Sequence, residues 1–252
     1  MGIFDKLFGN KASTVATSYS TSQETTAAAP MKIDMSKHAE NLETVLIDMS
    51  KSRKIDMTKH TARVAVAMDY SGSMSNMFAK GAVQDVITRL LPIALKFDDN
   101  GELESWLFSE GSERMAAVTA SNYDSYVKNV YMKARMRMGG TNYAPVLKDM
   151  VKYYKNIHPS SIPAFIMFIT DGDNWDDYET DEIVRELSNY NMFVQFVGIG
   201  NDSFSYLKRL DNLSGRKHDN TGFIAVADMN KMDDQQLYNE MLRQYNDWLN
   251  NK

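Results

Sequence analysis

ARVAVAMDYSGSM, residues Ala62 to Met74, joins an apolar run to a polar exit. Val64 to Met68 contains no polar side chain, which suits a strand covered on both faces. The run then breaks into Asp69-Tyr70-Ser71-Gly72-Ser73. A carboxylate and two hydroxyls, spaced two residues apart, fall where a central strand would give out into a loop. Such hard oxygen donors suit a hard cation such as Mg²⁺, and Mn²⁺ or Ca²⁺ accept the same oxygens.

Strands and helices alternate from this stretch onward. Phe78 to Phe97 places Val83, Val86, Ile87, Leu90, Leu91 and Leu95 on one helical face, with Pro92 at a kink or in the last turns. Glu102 to Phe108 and Arg114 to Val118 read as strands, and Tyr123 to Tyr131 as a short helix. Gly139-Gly140-Thr141 precedes a helix over Ala144 to Ile157, with Pro145 in its first turn. Pro163 to Thr170 and Met192 to Ile199 are apolar enough for buried strands, and Gly222 to Val226 is a last one. Helices are expected over Asp181 to Tyr190, Phe204 to Leu213 and Asp233 to Leu249. The pattern predicts an α/β domain over residues 62–252. It would be a Rossmann-like, doubly wound, mostly parallel sheet with helices on both faces. Right-handed crossovers send every loop that follows a strand to one sheet edge, where ligands bind. Asp69, Ser71, Ser73 and Asp171 belong to that edge.

The first 61 residues read differently. Ile3, Phe4, Leu7 and Phe8 form a short amphipathic start that docks on protein or makes weak membrane contact. Asn10 to Pro30 is rich in Ser, Thr and Ala and reads as a disordered linker, so residues 1–30 form one unit. Within residues 31–61, Lys32-Ile-Asp-Met-Ser-Lys-His38 recurs as Lys54-Ile-Asp-Met-Thr-Lys-His60, with a third copy over Ile47 to Lys51. Each copy alternates apolar with polar, as a short half-exposed strand does. The expectation is a strand-like appendage with His38 and His60 as solvated strand ends.

A formal net charge of −5 excludes a general nucleic-acid-binding surface, and the absence of cysteine excludes disulfides and thiolate sites. No apolar stretch is long enough to span a bilayer, and the first ten residues lack a signal-peptide core. The expected location is the cytoplasm.

Asp69-Tyr-Ser71-Gly-Ser73, Thr141 after the glycine pair and Asp171 in Thr170-Asp171-Gly172 resemble the D-x-S-x-S … T … D pattern of the von Willebrand factor A (VWA) family's metal-ion-dependent adhesion site, or MIDAS. Phe97 to Gly101, Gly140 to Pro145, Phe168 to Gly172, Gln195 to Gly200 and Leu210 to Leu213 resemble the branch found in bacterial tellurium-resistance (Ter) proteins. Copine A domains are more distantly similar. The resemblance implies that Ser71, Ser73 and Thr141 ligate Mg²⁺ through their hydroxyls, with Asp69 and Asp171 acting mostly through water. It further implies that the open metal position takes an Asp or Glu from a protein partner in a Ter-like stress response. Such a module is not an enzyme.

Two other functions compete. A metal-dependent hydrolase would use Ser71 or a metal-bound water, but neither His158 nor His218 is placed by sequence as its base. A structural interaction protein would act through the N-terminal strands. Around the site, Lys133, Arg135 and Arg137 alternate with methionines and either flank an acidic ligand or form a solvated rim. Trp175 is either a binding hot spot or loop packing.

Overall fold

The computed structural model describes residues 35–252 apart from Arg53, Asp173 and Asn230. The expectations for residues 1–30 therefore lie outside the described residues. Six strands form one sheet: β1 (Arg63–Asp69), β2 (Leu103–Phe108), β3 (Ser112–Val118), β4 (Ala164–Thr170), β5 (Met192–Ile199) and β6 (Thr221–Val226). Their order is β3-β2-β1-β4-β5-β6, and every neighbouring pair is parallel except β2 with β3. This is the doubly wound α/β fold that the alternation predicts.

Pleating divides β1 between two cores. Val64, Val66 and Met68 face one cluster, and Ala65 and Ala67 face the other. The first cluster is closed by α3 (Ala82–Phe97) and α8 (Asp234–Asn251), the second by α5 (Ala144–Val151), α6 (Asp177–Leu187) and α7 (Ser205–Asp211). Burial on both sides is why the strand has no polar position to alternate with. The helix expected over Phe78 to Phe97 is split: α2 (Ser75–Ala79) stops, and α3 begins after Gly81. Gly81 has φ of 81°, a left-handed conformation that an L side chain resists. Tyr126–Asn129 forms a one-turn helix, α4, and α5 runs on into a π-helical turn over Lys152–Ile157.

The strand-like appendage is overturned where residues 31–61 are described. Met35–Ser52 is an 18-residue helix, α1, followed by a 3₁₀ turn over Met57–Lys59. The repeats alternate only over five residues. Over the full span, Met35, Leu42, Val45, Leu46 and Met49 recur at helical spacing, and all five are buried in the first core cluster. Polar contacts fix the helix. His38 Nδ1 lies 2.6 Å from Asp234 Oδ2, which also accepts from Asn41 Nδ2 at 3.1 Å. Arg89 Nε donates to Asp234 Oδ1 at 2.7 Å, and Lys96 pairs with Glu43 at 2.9 Å. His60 is likewise no solvated end. Its Nε2 lies 2.8 Å from the Tyr245 hydroxyl, and its ring packs edge-on against Phe97.

Candidate metal centre

β1 and β4 are adjacent and in register, Met68 opposite Ile169, so their carboxyl ends present Asp69 and Asp171 side by side. Sheet order also reverses here, because the chain leaves β1 toward β2 on one side and returns to β4 on the other. That reversal opens a crevice between the exit loops.

Asp69 is wholly buried. Its Oδ1 accepts the Ser71 backbone N–H at 2.7 Å and its Oδ2 accepts the Thr170 hydroxyl at 2.6 Å. The Ser71 and Ser73 hydroxyls lie 2.9 Å apart, and Ser73 Oγ donates to Asp171 Oδ1 at 2.8 Å. Four of the five sequence-predicted residues are thus brought together by a continuous set of hydrogen bonds. The fifth, Thr141, is held on the adjoining loop. Gly139 bridges Ser71 in parallel fashion, and the Gly72 N–H donates to the Gly139 carbonyl at 3.0 Å. The Thr141 carbonyl accepts the Trp175 N–H at 3.0 Å, while its side-chain hydroxyl bonds to none of the described residues.

A supporting layer ties these loops together. Asp176 accepts the backbone N–H of Tyr143 at 2.9 Å and of Ala144 at 2.8 Å, capping α5 from the loop after β4. The Tyr143 hydroxyl reaches Thr170 Oγ1 at 3.2 Å and also the Gly172 carbonyl. Asp176 carries no motif signal of its own, and Thr170 stands in the Thr170-Asp171-Gly172 turn with no role assigned by sequence. Only the register of β4 and the return of its loop onto α5 give them roles.

The electrostatics call for a cation. Burial raises the Asp69 carboxyl to about 6, against opposing hydrogen bonds from Thr170 and Ser71, and the Asp171 charge adds to the rise. Burial also raises Asp171, as does the charge of Asp202 on the loop after β5. Among the described residues no cationic side chain is a leading influence on either. Two carboxylates and three hydroxyls form a donor set suited to a hard divalent ion, which would supply a Lewis-acidic position for a further oxygen ligand. Among the described residues no group of three His, Cys, Asp or Glu is gathered for a metal, as expected where hydroxyls supply most of the donors.

A family profile described as the vWA domain found in the TerF C terminus matches residues 61–252. The chain belongs to this TerF-like VWA family. The VWA chain is 38% identical over 198 residues to the uncharacterized protein YcbR of Bacillus subtilis (strain 168), covering 78% of this chain and 81% of that one. Among solved structures it resembles an aerotolerance-related membrane protein from Bacteroides fragilis, with TM-score 0.55 and 14% identity, covering 74% of this chain and 99% of that one. It also resembles the manganese-loaded TRAP protein of Plasmodium vivax, with TM-score 0.52 and 14% identity, covering 74% and 73%. It spans about half the length of several other structures of this fold.

The rim shows which neighbouring residues face out. Lys133, Arg135 and Arg137 are exposed, while Met136 and Met138 pack on the core. Met74 and Phe78 are buried. Trp175 is 79% exposed, with one edge of its ring against Gly140, where an added Cβ would lie 2.8 Å from Cζ3. The histidines are elsewhere. His158 and His218 lie on loops that enter β4 and β6, the opposite sheet edge, and His38 and His60 hold α1 and α8.

Proposed function

We propose that this VWA chain is a metal-dependent protein-binding module that works through a MIDAS. Ser71, Ser73 and Thr141 hold Mg²⁺ by their hydroxyls, and Asp69 and Asp171 hold it largely through water. Mn²⁺ or Ca²⁺ can take the same oxygens. A protein partner supplies an Asp or Glu carboxylate to the remaining position. The observation that carries the reading is the buried Asp69, linked through Ser71 and Ser73 to Asp171 by a continuous set of hydrogen bonds. The manganese-loaded TRAP structure shares the fold and supports the binding of a divalent ion by analogy. The family profile's TerF name favours a bacterial tellurium-resistance or stress-response scaffold. We place it in the cytoplasm, with which the cysteine-free sequence agrees. No described helix is long and apolar enough to cross a membrane.

A hydrolase using Ser71 or a metal-bound water is the weaker reading, because no described imidazole lies at this edge to serve as base. Action through the N-terminal segment alone is weaker too, since the described part of that segment is packed into the domain. The test is affinity purification from the native host with wild type, Asp69→Ala and wild type in chelator, read by mass spectrometry. A partner retained only by wild type in Mg²⁺ supports the reading. Equal retention in all three samples removes the metal from the mechanism, and Mg²⁺-dependent phosphate or ester turnover lost in Ser71→Ala replaces binding by catalysis.

A further inference from the structure

Most arginines of this protein are engaged. Arg89 and Arg114 bond carboxylates, as do Arg185, Arg209 and Arg216, and Arg63 donates to carbonyls. Arg135 and Arg137 are different. Both are exposed, and neither guanidinium has a hydrogen bond, ion pair or ring contact among the described residues. Nearby carboxylates form no ion pair with them among the described residues. Glu113 accepts the backbone N–H groups of Arg135 at 3.0 Å and Met136 at 2.9 Å, and Glu110 accepts from the Gly140 N–H at 3.3 Å.

These two cations stand on the segment that becomes Gly139, which bridges Ser71 at the metal loop. Both reach solvent, whereas Met136 and Met138 are half-buried against the core. Beyond the metal loop the rim continues through Thr141 to Trp175, whose ring is laid open to solvent. Free guanidiniums, a metal position and an exposed indole thus follow one another along a single track. Unpaired arginine forks match carboxylates in geometry and charge, and an exposed tryptophan offers a large apolar surface at small entropic cost.

We propose that this track docks an acidic polypeptide segment with several carboxylates. One carboxylate takes the metal, two more pair with Arg135 and Arg137, and an apolar side chain of the same segment covers Trp175. The inference rests on the metal-dependent binding reading and adds to it the composition of the partner. Two isolated cations on a chain of net charge −5 do not make a surface for nucleic acid.

The test is selection of a randomised peptide library on the full chain in Mg²⁺, eluted by chelator, with wild type and Arg135→Gln/Arg137→Gln run in parallel. The double variant keeps the wild-type melting temperature and Mg²⁺ response, because the two side chains are exposed and make no hydrogen bond, ion pair or ring contact among the described residues. Chelator-eluted peptides from wild type are expected to carry at least three acidic positions and one large apolar position. Those from the variant keep one acidic position. The best wild-type peptide loses about tenfold in affinity on the double variant, about threefold per exposed pair, and that loss shrinks in high salt. Trp175→Ala removes the apolar preference. Identical single-acid peptides from both proteins, or equal affinity of one peptide for both, overturns the acidic track and leaves the metal reading standing. Absence of any chelator-eluted peptide overturns both.

Discussion

Replacing Asp69 by Asn should make the protein more stable without metal and blind to metal. Asp69 is wholly buried, and burial raises its carboxyl from 3.8 to about 6. A group raised in the fold contributes stability that is complete below pH 3.8 and is lost as pH rises through about 6. At neutral pH the chelated protein therefore carries the full penalty of an ionised Asp69. At about 1.4 kcal/mol per tenfold in proton affinity, that penalty is about 3 kcal/mol. The amide relieves it while keeping most contacts. Its oxygen still accepts the Ser71 N–H, and Thr170 Oγ1 can turn toward the Gly172 carbonyl, 3.4 Å away. In chelator at pH 7, Asp69→Asn should melt about 6–12 °C above wild type, converging with it toward pH 4. Mg²⁺ at a hundred times its dissociation constant should stabilise wild type by about 2.7 kcal/mol and leave the variant unmoved. The assay is thermal denaturation by circular dichroism across pH, with and without Mg²⁺. A variant less stable than wild type in chelator at pH 7, or one that keeps the Mg²⁺ shift, refutes the argument that this carboxylate is held for a cation.

Three other outcomes are expected. Asp234→Ala leaves the buried Arg89 guanidinium only backbone carbonyls and no counter-charge and should cost about 3–5 kcal/mol in urea unfolding, whereas Arg89→Met/Asp234→Leu should recover much of it; a loss below about 1 kcal/mol for the single variant contradicts the pairing. Burial holds His60 down at about 4, helped by the Lys252 charge, so the unfolded chain binds the extra proton first. Wild type should therefore lose about 2 kcal/mol relative to His60→Gln as pH falls from 6.5 to about 4, read from urea midpoints, and parallel curves exclude His60 as the cause. Removing residues 1–60 takes away Leu42, Val45, Leu46 and Met49 and uncovers the apolar surface of α3 and α8 beneath them; the truncated chain should bind a hydrophobic dye and melt well below wild type, although the family match begins at residue 61. A truncated chain as stable as the full one makes α1 an ornament.

The sheet and the Asp69-Ser71-Ser73 end of β1 were legible in the sequence because each is written locally, whereas Thr141 and Asp171 were matched to it only through the family pattern. Val64 to Met68 and Pro163 to Thr170 announce doubly buried strands, and Asp69, Ser71 and Ser73 stand within five residues of one another. What escaped is written across distance. α1 was masked by a five-residue echo whose alternation mimics a strand, while its true partner, Asp234, lies 196 residues from His38. The break at Gly81 depends on one backbone angle inside an otherwise unbroken apolar period. Thr170 and Asp176 gain their roles from strand register and loop return, which no short motif encodes.

The contact between α1 and α8 also sets a timetable. On the ribosome, His38 emerges long before Asp234, with 196 residues separating them. At ordinary elongation rates the gap is about 10–40 s. Throughout that interval the apolar stripe of α1 lacks its C-terminal cover, and Arg89 lacks its carboxylate. The last described helix to be made is thus the one that closes α1, and a nascent chain stalled before residue 234 presents a sticky amphipathic helix to whatever chaperone or neighbour is near.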